Sequence, residues 1–156
     1  MTGLHHGGSD AIIVKYDSIG IIEWKKAFGG KRQDEFISVQ QTADGGYIAV
    51  GSSDSEDEDM DFNKHPLTDA PEAIIVKYDA GGSVVWQNSF GGFNYDFFTS
   101  VQQTADGGYI AVGLSASVDG DMTGLLKGCV DAIAVKYDAD GIVTWISSLG
   151  GTAIDH

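Results

Sequence analysis

Two kinds of short apolar pattern take turns along this chain, and both have the period of β-strands. The first is a β-branched run, Ile12-Ile13-Val14-Lys15-Tyr16, apolar on both faces, as a strand sandwiched between two sheets requires. Tyr16-Asp17 leads from it into a turn at Ser18-Ile19-Gly20, matched later by Ala80-Gly81-Gly82 and Ala139-Asp140-Gly141. Glycine there supplies the positive φ of a tight hairpin. The following strand alternates, with Ile22, Trp24 and Phe28 on one face, and a Gly-Gly pair ends it. The second kind sets Ile37, Val39 and Gln41 against Ser38 and Gln40, turns at Ala43-Asp44-Gly45-Gly46, and returns through Tyr47-Ile48-Ala49-Val50. No segment holds a helical period over 11 residues or more.

Both patterns repeat. Ala11 to Gly30, Ala73 to Gly92 and Ala132 to Gly151 are copies of one unit (X), with tryptophans at Trp24, Trp86 and Trp145. Phe36 to Gly51 and Phe98 to Gly113 are copies of another (Y), differing only at Ile37 against Thr99. The chain therefore reads as one repeat domain, residues 1–156, of five half-units in the order X, Y, X, Y, X: 1–30, 31–59, 60–92, 93–121 and 122–151, with 152–156 opening a truncated sixth. Met1-Thr2-Gly3-Leu4 matches Met122-Thr123-Gly124-Leu125, so the sequence starts in mid-loop, and Asp155 aligns with Asp34 and Asp96 where the next Y would begin.

One X and one Y make four short antiparallel strands in about 60 residues, with one aromatic anchor. This predicts an all-β protein of propeller-like blades, about two and a half in this chain. A single blade cannot bury both faces, and stacked blades bury each other's. A β-sandwich would alternate cleanly between inside and outside, which these strands do not. An open β-solenoid is the other alternative. Three X against two Y leaves one X unmatched, so the chain is expected to be a fragment of a longer array or a homo-oligomer joined through unmatched half-blades.

The motif K-Y-D-x-x-G-x-x-x-W at Lys15 to Trp24, Lys77 to Trp86 and Lys136 to Trp145 resembles the tryptophan-docking repeat of quinoprotein-type propellers. With G-G-x-x-x-D, S-V-Q-Q-T-A-D-G-G-Y-I-A-V-G and an acidic loop added, the longer signature resembles the β-propeller-type repeat arrays of bacterial secreted and cell-surface proteins. The resemblance implies that Y supplies the two inner strands of a blade and X the two outer ones. It also implies an extracellular or cell-surface setting and a binding or scaffolding role without conserved chemistry. Propellers usually have four to eight blades, more than this chain holds.

Charge narrows the partners. The net charge of −14 opposes nucleic-acid phosphates and anionic membrane surfaces, and suits cations or a basic partner. One cysteine, Cys129, allows no intrachain disulfide. No apolar run reaches the ~18 residues of a membrane-spanning helix, and the first residues have no signal-peptide core. Any export signal is expected outside this sequence.

Candidate sites are few. Asp54-Ser55-Glu56-Asp57-Glu58-Asp59-Met60-Asp61 is a dense acidic loop whose counterpart, Ser115 to Asp121, keeps an Asp-x-Asp pair. Asp57, Asp59, Asp119 and Asp121 are therefore candidate calcium ligands, because calcium takes six to eight hard oxygens. A solvated loop that keeps edges soluble is the alternative. Asp138-Ala139-Asp140-Gly141 resembles the opening of a calcium loop but reads better as a hairpin turn. Trp24, Trp86 and Trp145 recur in every copy among apolar neighbours, which predicts packing between blades rather than stacking on sugars. Gln40, Gln41, Gln102 and Gln103 either line a channel or satisfy buried backbone groups. Phe93, Tyr95 and Phe97 alternate and replace Lys31, Gln33 and Glu35 of the other copy, and His65 stands in a loop particular to one copy. These four residues are candidate binding positions.

Enzyme readings lack parts: there is no Gly-x-Ser-x-Gly, no His-Glu-x-x-His and no phosphate loop leading into a helix. The expectation is a non-catalytic module without a resident cofactor, calcium aside, that meets a protein or glycan partner and neither nucleic acid nor the membrane interior.

Overall fold

The computed structural model describes residues 7–62 and 70–151. The protein is all-β there, with ten strands and two single-turn 3₁₀ helices. Each half-unit contributes two strands. In chain order they are β1 (Ala11–Tyr16), β2 (Ile22–Phe28), β3 (Asp34–Gln41), β4 (Tyr47–Ser53), β5 (Glu72–Tyr78), β6 (Val84–Phe90), β7 (Asp96–Gln103), β8 (Tyr109–Ser115), β9 (Asp131–Tyr137) and β10 (Val143–Leu149). The 3₁₀ turns, Glu58–Met60 and Gly120–Met122, lie in the loops that leave β4 and β8.

The strands form three antiparallel sheets. Sheet A is the pair β1-β2, sheet B is β3-β4-β5-β6, and sheet C is β7-β8-β9-β10. Each Y hairpin thus pairs with the X hairpin that follows it, through β4 against β5 (Ala49 opposite Val76) and β8 against β9 (Ala111 opposite Val135). The unmatched X is the first one. The register of every X hairpin shifts at the same place, beside Lys15, Lys77 and Trp145. A bulge of this kind increases local twist and re-aims the side chains next to it, and here those are the tryptophans.

The sheets stack through two apolar layers. Ala11, Ile13 and Phe28 of sheet A meet Ala49, Ile74, Val76 and Tyr78 of sheet B, with Met60 plugging the loop end. On its other face sheet B packs Ile48, Val50, Ile75 and Phe90 against Phe98, Ala111, Val135 and Tyr137 of sheet C, with Met122 in the place of Met60. Sheet B is therefore covered on both faces, which accounts for a β5 buried along its whole length and for the two-faced apolar runs in the sequence. Ring contacts recur in both layers: Phe28 stacks on Phe36 and Phe90 packs on Phe98, with centroids 5.6 and 5.8 Å apart.

Sheet A lacks the Y hairpin that the others have, and the uncovered positions show it. Val101 on β7 is 6% exposed, whereas Val39 at the same place on β3 is 55% exposed, because sheet A has no Y strand to cover it.

Candidate functional site

The joint between sheets is the most elaborate construction in the molecule. Trp24 of sheet A lays its indole over the β5–β6 hairpin of sheet B and donates from Nε1 to the carbonyl of Ala80 at 3.1 Å. Trp86 of sheet B does the same to Ala139 of sheet C, also at 3.1 Å. Gly82 and Gly141 sit beneath the indoles at φ +81° and +82°. A Cβ on either would come within 2.9 or 2.7 Å of the ring. Glycine is required there twice over, for the left-handed turn and for the close approach. Asp79 and Asp138 hold the turns by accepting from the N–H groups of Ser83 and Ile142, 2.8 Å each. Asn88 adds a bond from Nδ2 to the carbonyl of Gly141 at 2.8 Å.

Along β3 and β7 the joint is polar. Gln40 accepts from the backbone N–H of Gln103, and Gln103 in turn accepts from that of Ala43, 2.8 Å each. Gln40 and Gln103 thus bridge backbone N–H groups between sheets at part-buried and exposed positions.

The acidic loop wraps the loop that enters β3. Asp57 Oδ1 accepts from the N–H of Lys31 at 2.9 Å, its other oxygen pairs with Lys31 Nζ at 2.5 Å, and Glu56 pairs with Arg32 at 3.0 Å. Asp59 faces the N–H of Gly29 at 3.4 Å. In the next copy Asp119 accepts from Phe93 N at 2.9 Å and Asp121 from Gly91 N at 3.3 Å. The four carboxylates singled out as calcium ligands thus each give an oxygen to a backbone donor. Among the described residues no three His, Cys, Asp or Glu side chains are grouped as a metal-holding set. Lys31 holds the Asp57 carboxyl below the usual carboxylate range, and Asp57 raises Lys31 in return.

Beneath this loop lies a buried carboxylate in each copy. Asp34 accepts from Ser53 Oγ, from Ser55 Oγ at 2.9 Å and from Gly30 N at 2.8 Å. Asp96 accepts from Ser115 Oγ, from Ser117 Oγ at 2.7 Å and from Gly92 N at 2.9 Å. Burial pushes both carboxyls up, against the pull of those bonds. They tie the Gly-Gly loop to the end of β4 or β8. The G-G-x-x-x-D spacing was the signal for this network, although sequence reasoning gave it no role.

A second unforeseen pair links Y to X. Lys77 is buried on β5 and reaches Asp44 of the β3–β4 turn at 2.9 Å, and Lys136 reaches Asp106 at 3.0 Å. Thr42 and Lys77 together hold Asp44 far below the usual range, and Thr104, the Gly108 N–H and Lys136 do so for Asp106. Sheet A has no such turn, and Lys15 pairs instead with Glu23 across its own hairpin at 2.5 Å.

The remaining candidates divide. Phe93 and Tyr95 are exposed in the bend before β7, and Phe97 is half-buried on β7. His65 lies outside the described residues. Trp24 and Trp86 are joint residues, whereas Trp145 projects from the open face of sheet C. Asp138 closes its hairpin, with Oδ1 accepting from Asp140 N at 3.0 Å, as expected of a turn.

These features define an all-β chain of sheets joined by docked tryptophans. No protein-family model matches it, and no curated protein matches it significantly.

Proposed function

We propose that the chain is a non-catalytic β-propeller-type repeat module, with sheets B and C as two complete blades and sheet A as the outer half of a third, and that it serves as a protein-interaction or adhesion scaffold of an exported bacterial protein. The observation that carries this reading is the joint itself. Two successive sheets are fixed to their neighbours by the same tryptophan, carbonyl and glycine. Such a joint commits aromatic and polar groups to holding one sheet against the next. A rigid stack then offers its copy-specific loops to a partner, among them the exposed Phe93 and Tyr95 in place of the Lys31 and Gln33 of the other copy. The export assignment rests on the resemblance of the repeat signature to bacterial surface arrays.

Two measurements test the proposal. Mild protease treatment of intact cells of the source organism should release peptides of this repeat; recovery only after lysis overturns the exported setting. The immobilised chain should bind a protein component of an extracellular protein array saturably, and Phe93→Ala with Tyr95→Ala should weaken that binding. Binding confined to a glycan array, or abolished by calcium chelation, establishes the carbohydrate- or calcium-binding reading in its place.

A further inference from the structure

Among the described residues, sheets A and C each leave one apolar face exposed, and the two faces are the unlike halves of the joint. Sheet C presents the donor half. Trp145 is 46% exposed there, and Leu149 is 69% exposed where its counterparts Phe28 and Phe90 are 2% and 0%. Val112, Ala132, Ala134 and Leu149 help line an apolar hollow of about 400 Å³ on this face. Sheet A presents the receiving half. Ile12 and Tyr16 are 57% and 56% exposed, whereas Ile74 and Tyr78, at the same places in sheet B, are 0% and 1%. The hairpin that should take an indole is already formed: Gly20 has φ +84°, its N–H bonds to Asp17 O at 3.1 Å as Gly82 does to Asp79, and no atom lies within 4 Å of where its Cβ would be.

We propose that a second copy of this chain fills each face: Trp145 of one copy docks on the Ser18-Ile19-Gly20 turn of the next, with its Nε1 donating to the Ser18 carbonyl and Leu149 covering Ile12 and Tyr16. Ser18 is the counterpart of Ala80 and Ala139, the acceptors in both internal joints. The contact is heterologous, so each union leaves one free donor and one free receiver, and copies add in an open series or close into a ring. The inference needs only the joint and is independent of any further protein partner.

Light scattering of the 156-residue chain across a wide concentration range tests it. The mean mass should rise with concentration to at least about twofold that of one chain. Trp145→Ala removes the donor. Gly20→Asn fills the receiving turn with a residue that tolerates a positive φ and acts on a site with open space, so it serves should Trp145→Ala not fold. Each variant alone should stay a single chain. Mixed, they should form a one-to-one pair that grows no further, since each lacks a different half. A wild-type chain of constant single mass, either variant associating as wild type does, or a mixture that fails to pair overturns the proposal.

Discussion

Trp24 Nε1 lies 3.1 Å from the carbonyl of Ala80, a residue 56 positions away in a different sheet, and that bond repeats between Trp86 and Ala139. The tryptophans therefore differ in what they hold together. Trp86→Ala should destabilise the chain by about 2–4 kcal/mol, toward the lower part of the range for large aromatic truncations because the ring is only half-buried. Trp145→Ala in dilute solution should stay within about 0.5 kcal/mol of wild type. Urea unfolding of the two variants side by side checks the contrast; equal losses would sink the docking account.

The glycine under the indole separates two effects. In dilute solution Gly20→Ala bears only the cost of a positive φ, about 1–2 kcal/mol. Gly82→Ala bears that cost and also drives its Cβ against Trp24, adding about 1–3 kcal/mol of overpacking. The difference between the two midpoints, measured at one temperature, reports the clash alone.

Asp44 and Asp106 govern the acid limb of stability. Both are held below the ordinary carboxylate value, so the stability they contribute is present above about pH 4 and is lost as pH falls through the folded values. Asp34 and Asp96, raised by burial, act in the opposite sense: protonation comes more easily in the folded state, so they favour it as pH falls through the carboxylate range. Asp44→Asn with Asp106→Asn should therefore flatten the loss of stability below pH 4. The double variant should also be less stable at neutral pH, because the buried Lys77 and Lys136 lose the carboxylates that face their ammonium groups. Melting curves from pH 2 to 7 check it.

Tyr78 and Tyr137 are buried, and neither hydroxyl has a hydrogen-bond partner among the described residues. Burial raises both phenols above their ordinary value. Their contribution is complete below about pH 10 and declines above it, because the unfolded chain loses those protons first. Tyr78→Phe and Tyr137→Phe should be neutral to mildly stabilising at pH 7 and should extend the folded range on the alkaline side, measured by circular dichroism.

Asp57 and Asp119 cap backbone N–H groups of the preceding loop. Asp119→Ala should lower the melting temperature equally in calcium and in chelator. A loss seen only with calcium present would instead establish the acidic loop as a metal site.

The strands and hairpins were legible because each carries its own period and turn glycine, and copy after copy repeated them. The surplus X was legible as arithmetic, but not which X it was. That follows from β4 pairing with β5, a contact between half-units that strand periodicity does not address. The Lys77–Asp44 pair was visible only as one lysine in each X and one aspartate in each complete turn of Y. Without a pairing scheme those letters had no reason to be read together. The acidic loop was legible as crowded carboxylates, but not the backbone donors of the adjoining loop that they meet, because those donors lie more than 20 residues away in the chain.

Both joints rest on the same contact, an indole lying on a glycine with its Nε1 held by a carbonyl. Small angular errors in such a contact do not average out along a stack; they add. A substitution confined to one copy bends the array at one place, whereas the same change written into every copy alters its pitch throughout. In a longer run of such joints, the tilt of an indole on a glycine would be multiplied by the number of copies.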